Sequence, residues 1–132
     1  MTGWENIGLV QKKVLFINEY GFYPELIKRL QGEGYALTVE HLMRKAISFI
    51  KKKQPDVVVA EFHHEAQFRD RVSNLESMLA QVQGMAEGPR TVVFYSKEHS
   101  EYVDKVLGVY SLDAVLEQPV EPDDLVAAIN AQ

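Results

Sequence analysis

At 132 residues the chain has room for one domain and not for a second, and with 46% hydrophobic and 25% charged residues it can bury a real core. A net charge of −5 and a pI near 5.3 remove the field that binding to nucleic acid or an anionic membrane requires, because phosphates are met by clustered Lys and Arg. The absence of cysteine excludes disulfides, thiolate zinc sites and cysteine nucleophiles. No apolar run approaches the ~18 residues of a membrane span, and the start Met-Thr-Gly-Trp-Glu-Asn lacks the regions of a signal peptide. A cytoplasmic location is the default expectation.

Residues 1–11, with a lone Trp4, read as a lead-in, and the domain as 12–132. Val14-Leu15-Phe16-Ile17 is an apolar run too short for a helix and suits a strand buried on both faces. Pro24 opens a helix with Leu26, Ile27 and Leu30 as its stripe, closed by Gly32 and Gly34. Tyr35–Val39 predicts a second strand, and Met43–Lys52 a second amphipathic helix, ended by Pro55. Its basic run, Lys51-Lys52-Lys53, reads as a solvated helix end.

Val57-Val58-Val59-Ala60 is the clearest buried strand and runs into the polar group Glu61-Phe62-His63-His64. Phe68, Val72, Leu75, Leu79 and Val82 recur at spacings of four and three up to Gly84, which predicts one long third helix. Residues 91–96 predict a fourth strand, followed by a helix carrying Tyr102, Val103, Val106, Leu107 and Tyr110. Leu112–Leu116 predicts a short fifth strand. Pro122 starts a last helix with Leu125, Val126 and Ile129 inward and Glu121 at its positive end.

Strand and helix thus alternate five times, which implies an α/β fold: one doubly wound (βα)5 domain with a parallel five-stranded sheet of order 2-1-3-4-5. In such sheets the functional crevice lies outside the carboxyl ends of the strands. Those ends are Asn18-Glu19, Glu61, Ser96 and Gln118.

The order and spacing of these pieces over residues 13–130 resemble response-regulator receiver domains of two-component signalling. Ile17-Asn18-Glu19 stands at the family's acidic pair, Gly34-Tyr35 before strand two, and Pro55-Asp56-Val57-Val58-Val59-Ala60-Glu61 at its phosphoacceptor segment. Ser96 stands at the Thr or Ser of strand four and Gln118-Pro119 at the Lys-Pro of strand five. Val115 stands where a switching aromatic is usual. The resemblance also implies a cis Gln118-Pro119 bond. Flavodoxin shares the topology, but Glu19-Tyr20-Gly21-Phe22-Tyr23 lacks its hydroxyl-rich phosphate loop.

Receiver phosphorylation needs an in-line carboxylate, a divalent cation held by carboxylates, and a lysine that neutralises developing charge. Here the acceptor position is Glu61 and the lysine position Gln118. A Glu carboxylate extends ~1.5 Å further than that of Asp, and an error of about 1 Å reduces a rate by roughly two orders of magnitude. Lys97 beside Ser96 is the nearest replacement cation. Glu19 and Glu61 are a weak candidate pair for Mg²⁺, which wants oxygen ligands in near-ideal octahedral geometry.

Glu61 either reaches Ser96 in a hydrogen bond that holds a signalling-like state, or points into solvent. His63 and His64 follow directly, and loop histidines in a polar stretch are more often exposed than ligands. His41 and His99 suggest nothing specific, and Ser96 lacks the strained Gly-flanked turn of a hydrolase nucleophile.

The resulting expectation is a pseudo-receiver without catalysis or cofactor, whose degenerate pocket is Asn18, Glu19, Glu61, Ser96 and Gln118. It binds a protein partner or itself through helix 4, strand 5 and helix 5, with Tyr102 and Tyr110 as candidate contacts. The alternative is a functioning receiver that accepts a phosphoryl group or a divalent cation in the same crevice.

Overall fold

The computed structural model describes residues 11–67 and 72–131. The strands are β1 (Lys13–Ile17), β2 (Ala36–Glu40), β3 (Val57–Glu61), β4 (Arg90–Tyr95) and β5 (Ala114–Glu117). The helices are α1 (Pro24–Gly32), α2 (Met43–Lys53), α3 (Glu76–Gln83), α4 (Ser100–Leu107) and α5 (Pro122–Asn130). All strand pairs are parallel and the order is β2-β1-β3-β4-β5. The doubly wound α/β fold is therefore the one expected.

Parallel strands need helical crossovers, which cover both faces of the sheet. Alternation along the strands divides the core accordingly. Val14, Phe16, Val57, Val59, Val92 and Phe94 pack on α1 and α5 through Leu26, Leu30, Leu125 and Ile129. Leu15, Ile17, Val58, Ala60 and Val93 pack on α2, α3 and α4 through Ala46, Ile50, Met78, Leu79, Val103 and Val106. At the opposite end from the crevice, Asp56 accepts the Lys13 N–H at 2.7 Å and Asp113 accepts the Thr91 N–H at 2.7 Å. These carboxylates satisfy donors where the ladders begin.

β2, β4 and β5 differ from expectation by one or two residues at each end, and β5 begins at Ala114 because Asp113 is spent on Thr91. Gly34 takes φ +83° after α1, a conformation that favours glycine, and Gln54 ends α2 at φ 47° ahead of Pro55. No described helix is long and apolar enough to cross a membrane.

The long third helix is the main correction. α3 starts only at Glu76. Before it, Ser73 bridges antiparallel to His64, and the Glu76 carboxylate accepts the Val72 and Ser73 N–H groups at 2.7 and 2.6 Å. Side chains that offer the backbone local partners displace helix there. Leu75 is nevertheless fully buried, so the stripe reports the core and not the helix. Trp4 and Phe68 lie outside the described residues. On α4, Val103 and Val106 are buried as expected, whereas Leu107 is 41% exposed and Tyr110 lies beyond the helix end.

Phe94, buried at the middle of β4 against Phe16 and Tyr23, should carry more stability than any loop aromatic. Urea denaturation is expected to show Phe94→Ala destabilised by about 3–5 kcal/mol. Phe22→Ala, at a side chain 86% exposed, should stay within about 0.5 kcal/mol.

Candidate functional site

The β3 strand is buried along its whole length, so its last residue, Glu61, emerges beneath the loops with only 6% exposure. A carboxylate this deep must be hydrogen-bonded or neutralised. Its Oε1 accepts the Gly21 N–H at 3.2 Å, and its Oε2 lies 3.0 Å from His63 Nε2, which carries the proton of that contact. The Tyr23 hydroxyl faces the same carboxylate, which helps to raise its pKa. Glu61 therefore neither points into solvent nor bonds Ser96. It is held by the β1–α1 loop and by its own neighbour.

Tyr23 connects this carboxylate to the other strand ends. Gln118 Nε2 donates to the Tyr23 hydroxyl at 2.9 Å, and Ser96 Oγ donates to Gln118 Oε1 at 3.1 Å. The result is a relay Ser96–Gln118–Tyr23 set beside the Glu61–His63 pair. Burial pushes the Tyr23 phenol well above its ordinary pKa, and the Glu61 carboxylate pushes it further. The phenol stays a donor. Its ring stacks on Phe16 and meets Phe94 edge-on, at centroid distances of 6.2 and 5.1 Å. Gly21 is required here because a Cβ at that position would collide with the Tyr23 ring.

The Gln118-Pro119 peptide is cis, as the resemblance implied. Beside the relay, Phe22, Tyr23, Leu26, Ser96, Gln118 and Val120 line an open groove of about 720 Å³.

Asn74 organises the acidic side. Its Nδ2 donates to Glu19 Oε1 at 2.8 Å and to the Glu61 carbonyl at 2.9 Å, while its Oδ1 accepts the His63 N–H at 2.7 Å. It is 6% exposed. One amide thus fixes the ends of β1 and β3 and the turn before α3. Asn18 is buried as well, and its Oδ1 has no hydrogen-bond partner among the described residues. His41 Nδ1 donates to the Asn18 carbonyl at 2.8 Å, which ties the β2–α2 loop to β1.

All five pocket residues expected from sequence lie at the carboxyl edge, where Asn74 links Glu19 to the Glu61 backbone and Gln118 links Ser96 to Tyr23. Lys97 is exposed and makes no ion pair with a described residue. His64 is not a free loop histidine. Its Nδ1 donates to the Val72 carbonyl at 2.7 Å, and its ring stacks on Tyr102 with centroids 3.6 Å apart. Tyr102 is therefore already covered on one face, while Lys105 Nζ approaches its ring at 5.3 Å. His99 stands 6.0 Å from His63 and 6.3 Å from His64 by ring centroids. Val115, half-buried, packs on the core beneath α4.

Gly21, Tyr23 and Asn74 were missed as site residues, and His63, noted in the polar group after the third strand, was read as exposed. Only Gly21, set among the aromatics of Tyr20-Gly21-Phe22-Tyr23, carried a sequence signal, that of a close approach.

Solved structures share this fold. The signal receiver domain of a putative Luxo repressor protein from Vibrio parahaemolyticus matches with a TM-score of 0.71 at 15% identity, over 91% of this chain and 88% of that one. FixJ-N matches with a TM-score of 0.70 at 16% identity, over 90% of each chain. A response regulator receiver domain protein from Clostridium thermocellum matches with a TM-score of 0.71 at 15% identity, over 89% of this chain and 90% of that one. No family model matches the chain, and no curated protein matches its sequence. At these identities the likeness establishes the receiver fold.

Asn74→Ala removes three buried hydrogen bonds and should destabilise the domain by about 2–3 kcal/mol in urea denaturation. Asn74→Asp keeps the acceptor but sets a second carboxylate against Glu19, which raises the pKa of the new acid in the folded state. Its stability deficit should therefore shrink as the pH is lowered to about 4, where carboxylates begin to protonate.

Proposed function

We propose that this domain is a non-catalytic, receiver-like signalling module that acts by binding a protein partner and is not phosphorylated. The observation that carries this reading is the engagement of Glu61. An in-line nucleophile must present an oxygen to phosphorus, and both oxygens of this carboxylate are turned to Gly21 and His63. Gln118, where the receiver family places a lysine, brings no positive charge, and its amide is spent on Ser96 and Tyr23.

The donor set fits Mg²⁺ poorly. The Glu61 carboxylate is engaged by Gly21 and His63, Glu19 Oε1 accepts from Asn74, and the buried Asn18 Oδ1 is a single neutral oxygen. Among the described residues no three His, Asp or Glu side chains are grouped as metal ligands would be. Mg²⁺ gives up water reluctantly and demands near-octahedral placement, which this donor set does not offer.

The partner face of this reading is α4, β5 and α5. Tyr110 is half-buried there, and Leu107 and Val109 are 41% and 67% exposed at the end of α4. Tyrosine and apolar side chains are the usual material of interface cores. The partner works with a soluble cytoplasmic domain in this reading.

Incubation with acetyl phosphate and Mg²⁺ should leave the intact mass unchanged. A one-phosphoryl adduct that disappears in Glu61→Gln would establish the phospho-receiver instead.

Calorimetric titration with Mg²⁺ should give no micromolar binding. Micromolar affinity abolished by Glu19→Gln would mean that the acidic crevice still holds a cation.

A further inference from the structure

α2 carries Arg44, Lys45, Lys51, Lys52 and Lys53, all exposed, and no acidic residue. More than a third of the chain's 14 Lys and Arg thus stand on one helix of 11 residues. None of the five pairs with a described carboxylate. Arg29, held by Glu33 and Asp123, is the only Lys or Arg that does so among the described residues.

Helix stability does not account for this surface. Lys51, Lys52 and Lys53 suit the negative end of the helix dipole, but Arg44 and Lys45 sit at the positive end, where cations are disfavoured. Leu42 occupies the N-cap without a side-chain hydrogen bond and is 47% exposed, at a position where Ser, Thr, Asp or Asn is preferred. Local rules broken together on one exposed surface mark a place selected for something else.

Lys45, Ser48, Phe49 and Lys52 follow the i, i+3, i+4, i+7 spacing of a single helical stripe. They border, with Glu40 and Lys53, a shallow depression of about 240 Å³. Half-buried Phe49 lies between two lysines that are two turns, about 10 Å, apart along the axis.

We propose that this stripe docks an acidic amphipathic helix of a partner protein, with a carboxylate on each of Lys45 and Lys52 and an apolar side chain on Phe49. Carboxylates two turns apart on an antiparallel or parallel helix match the lysine spacing, and the intervening residues bring an apolar group over the ring. Glu40 at the rim disfavours a third acid between them. A nucleic acid or an anionic bilayer presents phosphates over a much wider area, and meets there the repulsion of a chain whose 19 acidic residues lie off this helix. A single helix meets the stripe alone. This surface is distinct from the α4–β5–α5 face, so either can fail without the other.

The probe is a designed helical peptide with two Glu residues two turns apart flanking a Leu, with a permuted peptide of the same composition as control. Titration monitored by amide NMR should shift residues of β2 and α2 with the designed peptide and far less with the permuted one. Lys45→Glu with Lys52→Glu should weaken binding at least about tenfold. Lys97→Glu with Lys105→Glu, which makes the same change in net charge on the α4 side, should leave it within about twofold, because distant rim charges act weakly. Equal binding of both peptides, or equal losses in the two double variants, would reduce the effect to net charge and overturn the proposal. So would tighter binding of a DNA duplex or of phosphatidylserine vesicles to α2, or occupation of α2 by a second copy of the chain in sedimentation without peptide.

Discussion

The arrangement of the whole carboxyl edge follows from one constraint, that a carboxylate stands at the end of the most buried strand. β3 is covered on both faces and flanked by β1 and β4, so its terminal side chain has no route to water except through the loops above it. Stripping an ionised carboxylate of water costs several kcal/mol unless hydrogen bonds replace the lost hydration. The loops are built to supply them. Gly21 gives a backbone donor at a place where any Cβ would strike Tyr23, and His63 gives a side-chain donor. Around that shell, Asn74 fixes the neighbouring backbone.

The fold was legible because its determinants are local. Four-residue apolar runs at 14–17 and 57–60 are buried on both faces as their composition requires, and Pro24 and Pro122 open helices in the first turn. A parallel sheet with this element order has few topologies available, since crossovers are right-handed. The third helix was misread because spacing reports which residues face the core and not how the backbone carries them there. Leu75 is buried in a turn as completely as it would be in a helix, and the turn's stability resides in Ser73, Asn74 and Glu76 bonding to nearby backbone. Such short-range competition leaves no periodic signature.

The placement of the strand-end residues was legible, and their wiring was not. Strand ends can be placed from the sequence, so Asn18, Glu19, Glu61, Ser96 and Gln118 were found together. Which atom bonds which depends on loops that converge from distant parts of the chain. Tyr23 and Gln118 are 95 residues apart, and Asn74 and Glu19 are 55 apart. Nothing in a linear reading weighs Tyr23 above Tyr20 or Phe22. The structure distinguishes them by burial: Tyr23 packs on Phe16 and Phe94, while Tyr20 and Phe22 are 53% and 86% exposed.

The polar residues at the carboxyl edge are chemically consistent with one another. A lysine at position 118 offers donors only. The amide of Gln118 has both an acceptor, which takes the Ser96 hydroxyl, and a donor, which reaches the Tyr23 phenol. Tyr23 keeps its own proton, because burial and the Glu61 carboxylate raise its pKa, and the Glu61 carboxylate meets His63. Each member is usable only because the next supplies the complementary half of a hydrogen bond. At this crevice a chain of neutral donors and acceptors runs through Ser96, Gln118 and Tyr23 beside one buried carboxylate, and such a chain favours a single arrangement of the strand ends.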